Sequence, residues 1–354
     1  MYNSEWFRLD YNKKKYPQIL QFPITNKCNS RCVMCNIYTL DSKNEMTLED
    51  FKEIIQDDIF REIEVVGING GEPFLYPYLI EIVKELMKKN KLKSLNIISN
   101  GFLTDMILEK LKIIYSICKK NKIFFHVSFS LDGYQDVHDA VRGVPGAFEK
   151  TMKTIEVIEG NREFYCDTYD LGCTVVRQNV AYLVELDSFL KKRSLPIKYR
   201  LGIENERLYN KEKTVSYSVL EDFESKQAAI EFFYSQIYKE SSIYGKFKYY
   251  AIFSYLADQA PRKLGCDWRT RGVTLDSRGH VYYCAVKSPC IANLKLENGK
   301  VFFSKNSLEI KSRIIEKECM HCIHDYYGKP KLKDVLQFVK FYYLGNGWIK
   351  KFRG

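Results

Sequence analysis

The sequence predicts an α/β fold organised on a parallel sheet, and three observations carry that prediction. Short apolar runs of β-type composition alternate with longer segments whose apolar residues recur at spacings of three and four. Glycine-bearing motifs stand at the ends of several of those runs. With 354 residues, 45% hydrophobic and 28% charged, the chain has the material to bury one large core or two smaller ones. Alternation of this kind implies parallel pairing with right-handed crossovers, so a six-unit open barrel or a doubly wound sheet is expected.

Candidate strands lie at 18–25 (QILQFPIT), 62–69 (EIEVVGIN), 93–99 (KSLNIIS), 122–130 (KIFFHVSFS), 169–176 (YDLGCTVV) and 197–202 (IKYRLG). Helical spacing fills 47–60, 78–89, 104–120, 147–160 and 181–192 between them. Thr47 with Asp50 three residues on gives the first helix a cap-like start. The expected divisions are a core over 1–203, a mainly helical bridge over 204–260, a small cysteine-bearing module over 261–330, and a tail over 331–354. The small module turns on the hairpin RGVTLDSRGHVYYCAV and is expected to be held by metal rather than by a core; the tail is expected to carry one amphipathic helix packed on the body.

The net charge of +11, from 55 Lys and Arg against 44 Asp and Glu, is spread in short runs such as NKKK and MKKNKLKS, mixed with acids. No arginine-rich or aromatic-interleaved module accompanies it, so neither nucleic acid nor a membrane is an expected partner. No apolar window reaches membrane-spanning length and the N-terminus lacks a secretory pattern, which makes the cytoplasm the default compartment. In a reducing compartment, eleven cysteines in local clusters favour metal ligation over disulfides.

Cys28, Cys32 and Cys35 fall within TNKCNSRCVMCNIY. A structural zinc takes four ligands, and the nearest further cysteine, Cys118, sits in a helical stretch. Three thiolates at this spacing suit a 4Fe-4S cluster with one iron left open. GGEP (Gly70–Pro73), SNG (Ser99–Gly101) and SLDG (Ser130–Gly133) follow or end successive strands, so all would face the mouth at the carboxyl ends.

The three-cysteine loop, GGEP, SLDG and the HDAVRG after it resemble the radical S-adenosylmethionine (SAM) enzymes. The resemblance implies a partial (βα)6 TIM-like barrel in which SAM chelates the open iron of a cluster bound by Cys28, Cys32 and Cys35. Reduction then yields methionine and a 5'-deoxyadenosyl radical that removes a substrate hydrogen. It further implies that Gly70, Gly71 and Glu72 hold the SAM amino group, Ser99 and Asn100 lie near the ribose, and Ser130 and Arg142 hold the carboxylate. Met34 occupies a position often aromatic in the family and would pack on adenine. Cys266, Gly279, Cys284 and the pair Cys319 and Cys322 look like a twitch or SPASM module, implying a second, auxiliary 4Fe-4S cluster; spacing alone also allows a four-cysteine zinc ribbon.

Cys290 is left over as a buried thiol, a substituted ligand or a catalytic hydrogen-atom donor. Cys118, Cys166 and Cys173 are expected in packing roles and His126 as a core histidine, while His321 and His324 flank the last cysteine pair. Arg269 and Arg271 in CDWRTRG are expected at the surface, with binding of an anionic group such as a phosphate or nucleotide-sugar diphosphate as the alternative. A fully ligated auxiliary cluster suits electron acceptance and so dehydrogenation. The four-cysteine pattern resembles the twitch-type aminocyclitol dehydrogenases, which implies, as the leading expectation, an oxidoreductase that dehydrogenates a carbohydrate-like or aminocyclitol alcohol, fed by flavodoxin or ferredoxin. The alternative is modification of a peptide or protein, as by an epimerase or maturase. Against it stand the 27 residues before Cys28, too few for a leader-recognition domain, and Ala285 where sulfatase-maturating relatives carry an acid. A non-catalytic iron-sulfur scaffold or sensor is the third reading.

Overall fold

The computed structural model describes residues 16–208, 210–326 and 328–344. Strands β1 (Ile19–Thr25), β2 (Val65–Gly70), β3 (Ser94–Ser99), β4 (Phe124–Ser130), β5 (Thr168–Val175) and β6 (Ile197–Leu201) pair in parallel, each with the next. Sequential order without a reversal means that right-handed crossovers lay every connecting helix on one face. That decides for the barrel-type winding over the doubly wound one. The sheet stays open, because β6 and β1 stand apart in the strand order.

The crossover helices are α1 (Leu48–Ile54), α2 (Leu79–Leu86), α3 (Thr104–Lys120), α4 (Asp136–Arg142), α5 (Ala147–Gly160) and α6 (Leu183–Lys192). Thr47 and Asp50 form a full capping box at the start of α1. The period-two alternation of the strands sorts their two faces. Leu20, Phe22, Val66, Ile68, Leu95, Ile97, Phe125, Val127 and Phe129 are buried against the helices in one continuous core. Each such side chain contributes about 1.5–3 kcal/mol over exposure. The other face is half-buried and polar, with Gln21, Asn69, Asn96, His126 and Ser128. His126 therefore lies outside the apolar core, within hydrogen-bond reach of Thr168 at 2.8 Å and Ser128 at 3.2 Å. Cys118, Cys166 and Cys173 are core packing residues.

Beyond β6 come α7 (Thr214–Tyr217) and the antiparallel pair α8 (Phe223–Lys239) and α9 (Ile243–Asp258). The hairpin module then returns to the main sheet. Its strand β7 (Gly272–Leu275) pairs in parallel with β1, and β8 (His280–Tyr282) and β9 (Ala292–Asn293) continue the sheet antiparallel. Val273, Leu275, Val281, Tyr283, Ala292 and Phe302 join the common core, so the module is held by packing as well as by any metal. After it come α10 (Lys305–Lys317) and α11 (Leu332–Tyr343). Helix α11 packs on α9, with Phe338 against Phe247 and Tyr250 and Phe341 against Tyr250 and Phe253. Among the described residues no helix is long and apolar enough to cross a membrane.

Candidate active site

The loops after β1 to β4 are tied to one another by backbone and side-chain hydrogen bonds. Gly71 N donates to Thr25 O at 2.7 Å and Glu72 N to Lys27 O at 2.8 Å, docking GGEP against the start of the cysteine loop. Only glycine fits there. A Cβ on Gly71 would meet Lys27 O at 2.0 Å, and Gly70, at φ +129°, would bring one to 2.6 Å from Thr25 O.

Glu72 is fully buried and accepts from Asn100 N at 2.8 Å, Ser99 Oγ at 3.0 Å and Phe74 N at 3.1 Å. Burial pushes its pKa up to about 7 in spite of those donors. Asn100 reaches on to Asn29 Oδ1 at 2.7 Å, beside Cys28. Glu72, Ser99 and Asn100 thus form one buried brace beneath the cysteine loop, with Ser99 Oγ engaged by the carboxylate. Ser130 is half-buried at the end of β4.

Arg142, at the end of α4, reaches the cysteine loop from the opposite side. Its Nη1 lies 3.5 Å from Cys32 Sγ and its Nη2 2.5 Å from Asp132 Oδ2. Burial alone would lower its pKa, and Asp132 followed by the Cys32 sulfur more than offsets that, so the guanidinium stays charged. Its Nε is buried without a partner. Arg31 N donates to Arg142 O at 2.8 Å and Val33 N to Val141 O at 2.9 Å, laying the loop along α4. Gly143 ends the helix at φ +64°, where a Cβ would stand 2.6 Å from Arg31 O. Sequence reasoning passed over Asp132 and Gly143, although both stood inside the motifs SLDG and HDAVRG.

Cys28, Cys32 and Cys35 are free thiols in this single loop. Burial pushes Cys28 up to about 12 and Cys35 up to about 11. Ser30 Oγ lies 3.0 Å from Cys32 Sγ, and Ser30 N and Ile37 N donate to Cys28 and Cys35 Sγ. These contacts and Arg142 supply donors to sulfur, as a cluster of thiolates requires. Met34 packs with Cys32, Val141, Val176 and Tyr217, and its carbonyl accepts from Asn210 Nδ2 at 2.9 Å.

The four later cysteines also come together. Cys266, Cys284, Cys319 and Cys322 line one cavity with Arg262, Arg269, Tyr283 and Lys311. Among the described residues no group of three or more His, Cys, Asp or Glu is arranged to hold a single metal ion. Four thiols are the donor set of either a 4Fe-4S cluster or a four-cysteine zinc. Burial pushes Cys284 up to about 11 and Lys311 down to about 8. Arg262 organises the loops: Nε donates to Leu264 O at 3.0 Å, Nη1 to Cys322 O at 2.7 Å and His324 O at 2.8 Å, and Nη2 to Gly265 O at 3.1 Å and to Tyr326 O. Arg269 turns inward to Cys319 O at 3.2 Å, and Arg271 binds Gln18 and Asp267, so neither is a free surface charge. His321 is exposed, whereas His324 lies 3.1 Å from Asp325 and against the Tyr326 ring.

Cys290 is exposed and lines a second cavity, of about 520 Å³, between the cysteine loop and the hairpin. Asn26 and Leu40 bound it on one side and Tyr282, Ala285 and Pro289 on the other. Arg207 and Arg278 also line it, and each has a buried Nε without a partner. Asp276 there accepts from Tyr282 OH at 2.9 Å and lies 3.1 Å from His280 Nδ1.

The profile of the Radical SAM superfamily matches residues 22–186. The antilisterial bacteriocin subtilosin biosynthesis protein AlbA of Bacillus subtilis (strain 168) is 30% identical over 155 residues, 43% of this chain and 33% of that protein. The Fe-coproporphyrin III synthase of Methanosarcina barkeri (strain Fusaro / DSM 804) is 27% identical over 190 residues, 53% of this chain and 44% of that one. This chain therefore spans less than half the length of either. Among solved structures, native anSMEcpe with bound AdoMet gives a TM-score of 0.60 at 18% identity, covering 83% of this chain and 82% of that one. Streptococcus suis SuiB bound to S-adenosylmethionine gives 0.59 at 14%, covering 90% and 78%. At these identities the two structures show the shared fold. With the cysteine loop, GGEP and SLDG on the strand ends just described all inside the matched segment, residues 22–186 form a domain of the Radical SAM superfamily.

Proposed function

We propose that this radical SAM enzyme modifies a peptide or protein, with its substrate in the cavity between the cysteine loop and the C-terminal hairpin. The observation that carries the reading is that cavity: at about 520 Å³ it lies within the range of ligand sites, and it is walled by both modules at once. The relatives support a peptide over the carbohydrate alcohol favoured by the cysteine pattern. AlbA is a bacteriocin biosynthesis protein, and structures of the same fold hold a Cp18Cys peptide or precursor peptide SuiA. Arg207 and Arg278 line that cavity, and their positive charge suits the carbonyl and carboxylate oxygens of a peptide.

Cys28, Cys32 and Cys35 would hold a 4Fe-4S cluster, and Cys266, Cys284, Cys319 and Cys322 a second. When bound, the first supplies reductive cleavage of SAM with an electron from a donor such as flavodoxin or ferredoxin, and the second a store for an electron leaving the substrate. The chain's own residues orient and exclude water. Gly70, Gly71 and Glu72 present acceptors toward a SAM amino group, and Arg142 keeps one unpaired N–H for its carboxylate. Ser99 and Asn100 set the Glu72 carboxylate, while Ser130 and Met34 flank the same mouth. Cys290 would give its hydrogen atom to a substrate radical, and His280, held by Asp276, would accept a proton.

The test is anaerobic reconstitution followed by SAM, reductant and pools of deuterated peptides, coproporphyrin or aminocyclitols, with deuterium in 5'-deoxyadenosine as the readout. Label from the peptide pool supports the reading; label from the aminocyclitols alone overturns it. With a responsive peptide, Cys290→Ala is expected to abolish incorporation of solvent hydrogen while 5'-deoxyadenosine still forms.

A further inference from the structure

The cavity lined by the four later cysteines contains a charge to which the proposed chemistry gives no role. Lys311, midway along α10, is 8% exposed and has no hydrogen-bond or ion-pair partner among the described residues. Its Nζ stands 4.9 Å from the centroid of the Tyr283 ring, next to Cys284 in sequence, and its side chain lines the cavity of Cys266, Cys284, Cys319 and Cys322. The other cations of that cavity are committed. Lys287 pairs with Glu204 at 3.0 Å, Arg262 is surrounded by carbonyl oxygens, and Arg269 donates to Cys319 O. Lysine is seldom buried without a counter-charge, because desolvating an ammonium is costly. The anionic or thiol groups that share its cavity are the four cysteines and Glu318.

We propose that Lys311 is the built-in counter-ion of the C-terminal cluster and sets its reduction potential, a role that rests on the four-cysteine reading above. A cubane carried by four thiolates is an anion when oxidised and a more negative one when reduced. A cation fixed beside it in a water-poor cavity stabilises the reduced state more than the oxidised one, and so raises the potential. The electron comes from an external low-potential reductant, and Lys311 neither gains nor loses a proton or a bond. The Tyr283 ring keeps the ammonium on the cavity wall through cation–π attraction.

The test uses the full chain carrying Cys28→Ala, Cys32→Ala and Cys35→Ala, so that only the C-terminal cluster reports, in an EPR-monitored potentiometric titration. Lys311→Met and Lys311→Gln are expected to shift the midpoint to more negative potential, with Lys311→Arg close to the parent and Lys305→Met, at the exposed start of α10, without effect. Loss of the cluster from the neutral variants with retention in Lys311→Arg also supports charge compensation; loss from all three marks a packing role and overturns it. Bound iron with an unmoved midpoint in the neutral variants overturns the Lys311 proposal alone. A background that binds no iron overturns the four-cysteine reading, and the Lys311 role with it.

Discussion

A methyl group at position 71 has nowhere to go, since its carbon would sit 2.0 Å from the carbonyl oxygen of Lys27. Gly71→Ala should therefore destabilise the protein by about 1–3 kcal/mol and displace the cysteine loop. Thermal melting and iron content after reconstitution check this, and Gly67→Ala, with open space around it, is the control. His280 gives a second expectation. The hydrogen bond to Asp276 raises its pKa above the ordinary 6.5. A raised histidine stabilises fully below the unfolded value and loses that contribution as pH rises through the folded one. Melting midpoints should therefore fall between about pH 6 and pH 8 by more in the wild type than in His280→Gln. The glycine motifs were legible because each residue has one conformational reason to be where it is. Arg207 and Asp276 were not, since a lone charge in sequence gives no sign of whether it faces a cavity or water.

At the level of elements, the end of β4 and the end of α4 are joined by a buried charge pair. Asp132 is closed to solvent and also accepts from Thr174 N at 2.7 Å. Arg142→Met would strand that carboxylate and should cost about 3–5 kcal/mol, whereas Asp132→Asn with Arg142→Met should recover part of the loss. Denaturant unfolding of the three variants measures it. The six strands, within about three residues at each end, and the long helices α3 and α5 could be read from periodicity. Helix α4 could not, because its seven residues are too few to show a period and Gln135 enters it at φ 46°. The pairing of β7 with β1 was hidden too. Four residues carry no alternation to read, and their partner lies some 250 positions away.

Across the whole molecule, one sheet runs from β6 to β9 with β1 in its interior. Cutting the chain after residue 260 would strip β1 of its neighbour and uncover Val273's and Leu275's packing partners. Such a fragment is expected to aggregate, scored by light scattering against the full chain, since an unpaired apolar edge recruits other strands. Sequence reasoning treated the hairpin as a separate unit because its composition changes at Cys266, and composition says nothing of where a strand docks.

The ring of main-chain oxygens around Arg262 is a fastening made within the protein itself. Its guanidinium ties the stretches that carry Cys266 and Cys322 to one another. Loading would then be an insertion into a finished mould, and chelator-treated protein should keep its cooperative melting transition, while Arg262→Ala should lose it.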